Sequence, residues 1–227
     1  MVLIDTLFII AVIIFSVIIH EVMHGVAADK LGDPTARYAG RLTLNPIPHL
    51  DMFGSIILPI LCALAPGGFL FGWAKPVPYN PHNLKNPKWD SVWVALAGPG
   101  SNLVFAVVCG TLLRVLTAAG MISGTNLLGI FLVLMVLLNL FLLLFNIIPV
   151  HPLDGTKLLF AIFDQPKHER LRFFVATQGP RVLLFLVILS LLTPFNVFGF
   201  ISLPAFAACD ALTDQSCLGF LMRIFYP

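Results

Sequence analysis

The sequence predicts an all-α polytopic membrane protein, with about four to six spanning helices, a re-entrant membrane hairpin and room for a small β element beside its polar cluster. Three observations carry that prediction. Of the 227 residues, 59% are hydrophobic and 11% charged, whereas a soluble domain is roughly one quarter charged, and the mean hydropathy is +0.97. Several runs reach the roughly 20 apolar residues that a bilayer core requires. Short polar loops rich in proline separate those runs, with no repeat and no appended soluble domain.

Residues 3 to 28 read as one helix, apolar through Ile19 and then carrying His20, Glu21 and His24. The N-terminus lacks a basic n-region and a small-residue cleavage site, so this helix is expected to be retained. Residues 29 to 52 are polar and rich in turn formers. The next run, "FGSIILPILCALAPGGFLFG" (53 to 72), is apolar but broken by Pro59 and by Pro66-Gly67-Gly68. Such breaks suit a re-entrant element packed within protein. A second proline- and lysine-bearing loop covers 73 to 90. Two strong spans follow at 92 to 119 and 126 to 148, the first opening with "AGPGSN". Then come "NIIPVHPLDG" (146 to 155), a basic stretch to Arg181, an apolar run over 182 to 201, and a tail over 202 to 227 of open topology. The whole is expected to form a single membrane-embedded domain over 1–227, with a core over 1–165 and a C-terminal membrane segment and tail over 166–227.

Charge placement supports the re-entrant reading. If 53 to 72 dips in and returns, both loops lie on one side, and of the 13 basic residues only Arg114 and Arg223 fall opposite. The positive-inside rule then makes the basic side cytoplasmic. The same parity returns Asp154 to the leaflet that holds His20 and His24. A net charge of +2 gives no nucleic-acid footprint. Cys62, Cys109, Cys209 and Cys217 show no C-x-x-C spacing, which argues against a zinc ribbon or a disulfide framework. Cys209 and Cys217 could pair in an oxidising compartment, although buried thiols are the commoner state.

The polar residues of the first helix carry the chemistry. Positions i and i+4 stand on one helix face about 6 Å apart, so His20 and His24 can offer two imidazole nitrogens to one ion. Glu21 is turned about 100° from His20, too far to be a natural ligand of that pair, yet able to reach a water held on the metal. This is the H-E-x-x-H arrangement in which glutamate acts as general base. Ionisable groups inside a membrane are rare and usually functional. The bland alternative is a pair of core histidines with a snorkelling glutamate. Catalytic zinc needs a third protein ligand and an open position. Asp154 is the best candidate, because Pro149 and Pro152 bar regular helix there and Gly155 permits a tight turn. His151 and His49 are alternatives, and Asp154 could instead cap the following helix.

His20-Glu21-Val22-Met23-His24 together with the stretch from Asn146 to Gly155 resembles the site-2 protease family of intramembrane zinc metalloproteases, whose paired signatures are H-E-x-x-H and N-x-x-P-x-x-P-x-D-G. "AGPGSN" (97 to 102) resembles that family's G-P-x-x-N. "GRLTLNPIPHLDMFGSIILP" and "FGWAKPVPYNP" resemble its compact bacterial and archaeal branch. The resemblance covers roughly residues 15 to 165. It implies one zinc ion per chain held by His20, His24 and Asp154, water activated by Glu21, and peptide-bond hydrolysis of transmembrane protein substrates within a lipid bilayer, the active site facing the cytoplasm of a cell membrane. It also implies that Asn146 and Asn102 lie near substrate or the oxyanion, the alternative for each being an interhelical hydrogen bond. No PDZ-like or CBS module is seen, so regulation through such modules is not expected. An extended substrate could pair with a strand edge at "GRLTLNP" (40 to 46). Two other functions use the same ligands: a metal or proton transporter, which would need polar groups continuing to the far face, and an inactive scaffold, against which the intact Glu21 argues. The substrate and the oligomeric state cannot be read from the sequence.

Overall fold

The computed structural model describes residues 2–58, 60, 73–122, 126–193 and 197–225. It contains eight helices among these residues: α1 (Val2–Lys30), α2 (Thr35–Tyr38), α3 (Pro87–Ala118), α4 (Leu127–Asn146), α5 (Gly155–Ile162), α6 (Glu169–Leu192), α7 (Gly199–Thr213) and α8 (Cys217–Phe225). Short 3₁₀ turns and one π-helical turn, Met52–Ile57, punctuate the loops. Among the described residues, four stretches are long and apolar enough to cross a membrane: Ile9–Lys30, Pro87–Ala118, Leu127–Asn146 and Pro166–Ser190. The chain is an all-α multi-pass membrane protein.

Local chemistry sets the helix starts. Asn86 accepts from the Trp89 amide and Pro87 occupies the first helical position, so α3 begins five residues before the apolar run does. Asn126 caps α4 through the Leu128 amide. The apolar run expected over 182 to 201 is not one helix. α6 starts at Glu169 and is described to Leu192, and a separate helix begins at Gly199. The basic stretch is helical because nothing in Glu169–Arg181 breaks the pattern until Pro180, which the helix absorbs. α6 exposes Phe173, Phe174, Leu184, Phe185 and Leu192, the face a lipid-contacting helix presents.

α3 packs on α1 and α4, and α7 packs on α3 and α4. The apolar core joins Val12, Ala106, Leu113, Met135, Val136, Ala205 and Phe220. Gly110 lies against Leu212, and Arg114 pairs with Asp214 at 3.6 Å. The C-terminal end of α7 therefore sits beside the C-terminal end of α3. Cys209 and Cys217 are disulfide-bonded there, so the buried-thiol state favoured for these two residues does not hold.

At the other end of the bundle, two loops are stitched together. The fully buried Asp33 accepts from the Asn80 amide (2.5 Å) and from Asn83 Nδ2 (2.7 Å). The Lys75 amide donates to the His49 carbonyl (2.8 Å), and Arg41 Nη2 donates to the Lys75 carbonyl (2.7 Å). Residues 31 to 50 and 73 to 86 thus lie on one side. The Trp73 amide also donates to the Gly54 carbonyl (3.0 Å), so the two ends of the intervening segment meet. Most of the expected re-entrant hairpin, residues 59 and 61 to 72, lies outside the described residues.

The small β element is not present among the described residues. Thr43 Oγ1 accepts from the Asn45 amide and Asn45 Oδ1 from the Ile47 amide. These side chains bind their own backbone and bend 42 to 44 where an extended edge was expected.

Candidate metal centre

α1 passes from the apolar core into the polar end, and its last three turns carry the histidine pair. The two rings meet edge to face with centroids 4.6 Å apart. Both Nδ1 atoms have partners on α3: His20 Nδ1 with Asn102 Oδ1 at 2.5 Å, and His24 Nδ1 with the Val94 carbonyl at 2.7 Å. A carbonyl only accepts, so His24 carries its proton on Nδ1, which leaves Nε2 as a free lone pair. Gly98 lets α3 come this close. A Cβ there would stand 2.5 Å from His24 Cε1 and 2.7 Å from His20 Cε1.

The third group arrives from a distant corner. α4 ends at Asn146, the chain turns through 147 to 154, and α5 begins at Gly155. Asp154 occupies the N-cap position of α5 but makes no side-chain capping bond. Its Oδ2 lies 3.2 Å from His20 Nε2 and 3.3 Å from His24 Nε2.

Three donor atoms bound tetrahedrally to one zinc at about 2.0–2.1 Å would be about 3.3 Å apart. Here the two Nε2 atoms are 3.0 Å apart, and each is 3.2 or 3.3 Å from the carboxylate oxygen. Asp154 Oδ2 is buried and has no aligned hydrogen bond. Two imidazole nitrogens and an orphaned carboxylate oxygen facing one point fit a zinc ion.

Glu21 lies beside the cluster, and its Oε2 accepts from the Val77 amide at 2.9 Å. Sequence reasoning missed Val77. The signal was available: Pro76 and Pro78 have no N–H, so between Lys75 and Tyr79 the Val77 amide is the one backbone donor. Neither His49 nor His151 joins the three donors. His49 is buried, and its Nε2 donates to the Thr43 carbonyl at 2.9 Å. His151 is not among the grouped donors. Asn146 Nδ2 turns back to the Leu142 carbonyl (3.0 Å). Asn102 is fully buried between His20 and Asn139 and bonds to both.

Gly155 is the hinge of the Asp154 corner. An added Cβ would stand 2.6 Å from the Ile147 carbonyl carbon and 2.8 Å from the Ile148 oxygen. Backbone cannot yield as a flexible side chain does. Gly155→Ala is expected to weaken zinc binding by about tenfold or more and to cost about 1–3 kcal/mol of stability. Chelator competition and thermal unfolding read these two effects.

A multi-pass helical bundle that gathers a histidine pair, the glutamate between them and a distant aspartate at one end of its spans is built as a membrane metallopeptidase. The comparisons agree. Residues 8–129 and 114–190 match the model of peptidase family M50, and the chain belongs to that family. A Bacillus subtilis (strain 168) protein named "Putative zinc metalloprotease YwhC" is 41% identical over 155 residues, 67% of each chain. A Mycolicibacterium smegmatis protein named "Putative zinc metalloprotease Rip2" is 33% identical over 145 residues, 63% of this chain and 52% of that protein. No solved structure matches.

Proposed function

We propose that this protein is a zinc-dependent intramembrane endopeptidase, cleaving peptide bonds of transmembrane substrates from the cytoplasmic side of the cell membrane. One observation carries the reading: the convergence of His20 Nε2, His24 Nε2 and Asp154 Oδ2, with Glu21 adjacent, at the end of an apolar bundle. His20, His24 and Asp154 would hold the ion, and a bound zinc supplies Lewis acidity that polarises a scissile carbonyl and acidifies water. Glu21 is the general base. The Val77 amide holds Oε2, which leaves Oε1 to take a proton from water and pass it to the leaving amine nitrogen. A substrate helix must unwind locally, because its carbonyls are otherwise bonded within the helix.

Two features support the orientation. The end of α1 and the stitched loops carry Lys30, Arg37, Arg41, Lys75 and Lys85 on the side of the donor cluster, and basic loops stay cytoplasmic. The disulfide lies at the opposite end, beside Arg114 and Asp214, and disulfides persist on the oxidising side. A transporter is not favoured. The far half of the bundle is an apolar core around Val12, Leu113, Leu132 and Val136.

Reconstitution tests the proposal. Purified protein in liposomes with a membrane substrate should lose cleavage when a chelator removes zinc and regain it when zinc is restored. Cleavage indifferent to chelation would refute a metal-dependent mechanism.

A further inference from the structure

Beyond the ligands, four polar side chains lie in a row through the middle of the bundle, all with at most 5% of their surface exposed: His20, Asn102, Asn139 and Ser16. His20 Nδ1 meets Asn102 Oδ1 at 2.5 Å, and Asn102 Nδ2 donates to Asn139 Oδ1 at 2.7 Å. Asn139 Nδ2 donates to Ser16 Oγ (3.0 Å) and to the Met135 carbonyl (2.8 Å). Polar groups in a membrane core are expensive unless paired. Each pair here bridges a different set of helices: α1 to α3, α3 to α4, and α4 back to α1.

The row has a direction, and one atom sets it. The Met135 carbonyl can only accept, so the Asn139 amino group must face it, which turns Asn139 Oδ1 toward Asn102. Asn102 must then present its own amino group to Asn139 and its Oδ1 to His20. An oxygen that only accepts forces the His20 proton onto Nδ1. The lone pair is left on Nε2, the atom aimed at Asp154 and His24.

We propose that Asn139, through Asn102, is a positioning residue that fixes the His20 tautomer and so pre-forms the zinc site from within the membrane. This rests on the zinc-peptidase reading above, since it assigns His20 Nε2 to the metal. Partners in the outer shell of metal-bound histidines typically affect affinity by about 10–100-fold. Asn102→Leu is expected to weaken zinc binding within that range. Asn139→Leu should weaken it by about tenfold or less, because Asn102 remains but is free to turn over.

The test reads tautomer and metal rather than cleavage. Nitrogen-15 NMR of histidine-labelled, zinc-free protein, with His20 assigned by its absence in His20→Gln, should show Nδ1 protonated in the wild type. It should show a mixture in Asn139→Leu. Chelator competition should give a double variant, Asn102→Leu/Asn139→Leu, no weaker than Asn102→Leu alone, because Asn139 acts only through Asn102. Three results would overturn the proposal: a wild-type His20 protonated on Nε2, an unchanged tautomer in Asn139→Leu, or additive losses in the double variant. The first needs no variant to fold. Wild-type protein that binds no zinc would instead sink the peptidase reading, while its His20 tautomer still decides the role of the row.

Discussion

Glu21→Gln is expected to lower kcat by about 10²–10⁴-fold, the usual contribution of a positioned acid–base group, with zinc content unchanged. The three candidate ligands are untouched by the substitution. The Val77 amide also keeps its partner, because the glutamine carbonyl oxygen accepts as the carboxylate did. What is lost is basicity at the second oxygen. The amide nitrogen of glutamine cannot take a proton from water, so the nucleophile is left unactivated beside an intact metal site. Turnover of the wild-type and variant proteins on one membrane substrate, with zinc measured by elemental analysis, checks both halves. Turnover within tenfold of wild type would remove Glu21 from the mechanism. The same variant separates the rival functions, since a transporter should largely keep its flux and a scaffold should be unaffected.

Gly98→Ala is the second large effect. The added methyl would fall inside contact distance of His24 and His20 ring atoms at once, at 2.5 Å from His24 Cε1 and 2.7 Å from His20 Cε1. Either the rings swing away from Asp154 or α3 backs off from α1. The second movement also pulls Val94 and Asn102 from the Nδ1 atoms they hold. A misplacement of about 1 Å costs on the order of 10² in rate, so kcat/KM is expected to fall by at least about that factor, with weaker zinc retention. Gly100→Ala provides the control. It lies two residues on in the same "AGPGSN" stretch, and a Cβ there meets nothing within 4 Å. Equal losses in the two variants would point to helix flexibility rather than to the close approach.

Much of the fold was legible because hydrophobic length and helix-capping chemistry are local. α1, α3 and α4 follow from apolar runs bounded by Asn86, Asn126 and the loops. The less legible parts depended on competition between local signals. "GRLTLNP" alternates like a strand, yet Thr43 and Asn45 each bind their own backbone and bend it. The apolar run after Arg181 looked like one span, but helix had already begun at Glu169, because Pro180 is tolerated within it. For the disulfide, sequence separation says nothing of distance. The turn at 214 to 216 brings Cys217 back to Cys209, with Cα atoms 6.2 Å apart.

The sequence by itself determined that this chain is a helical membrane protein and which side chains could ligate a metal, since His20 and His24 share a helix face by periodicity alone. It also marked a rigid corner for Asp154, through Pro149, Pro152 and Gly155. The tertiary structure decided the rest: which carboxylate meets the imidazoles, which amide holds Glu21, and why a glycine stands at position 98. The physical reason is range. Periodicity and capping act over four residues or so, whereas Asp154 is held against His20, Val77 against Glu21 and Asn139 against Asn102 by the packing of helices far apart in the chain. Hydrogen-bond direction, which selects the lone pair offered to a metal, exists only once those helices are in place.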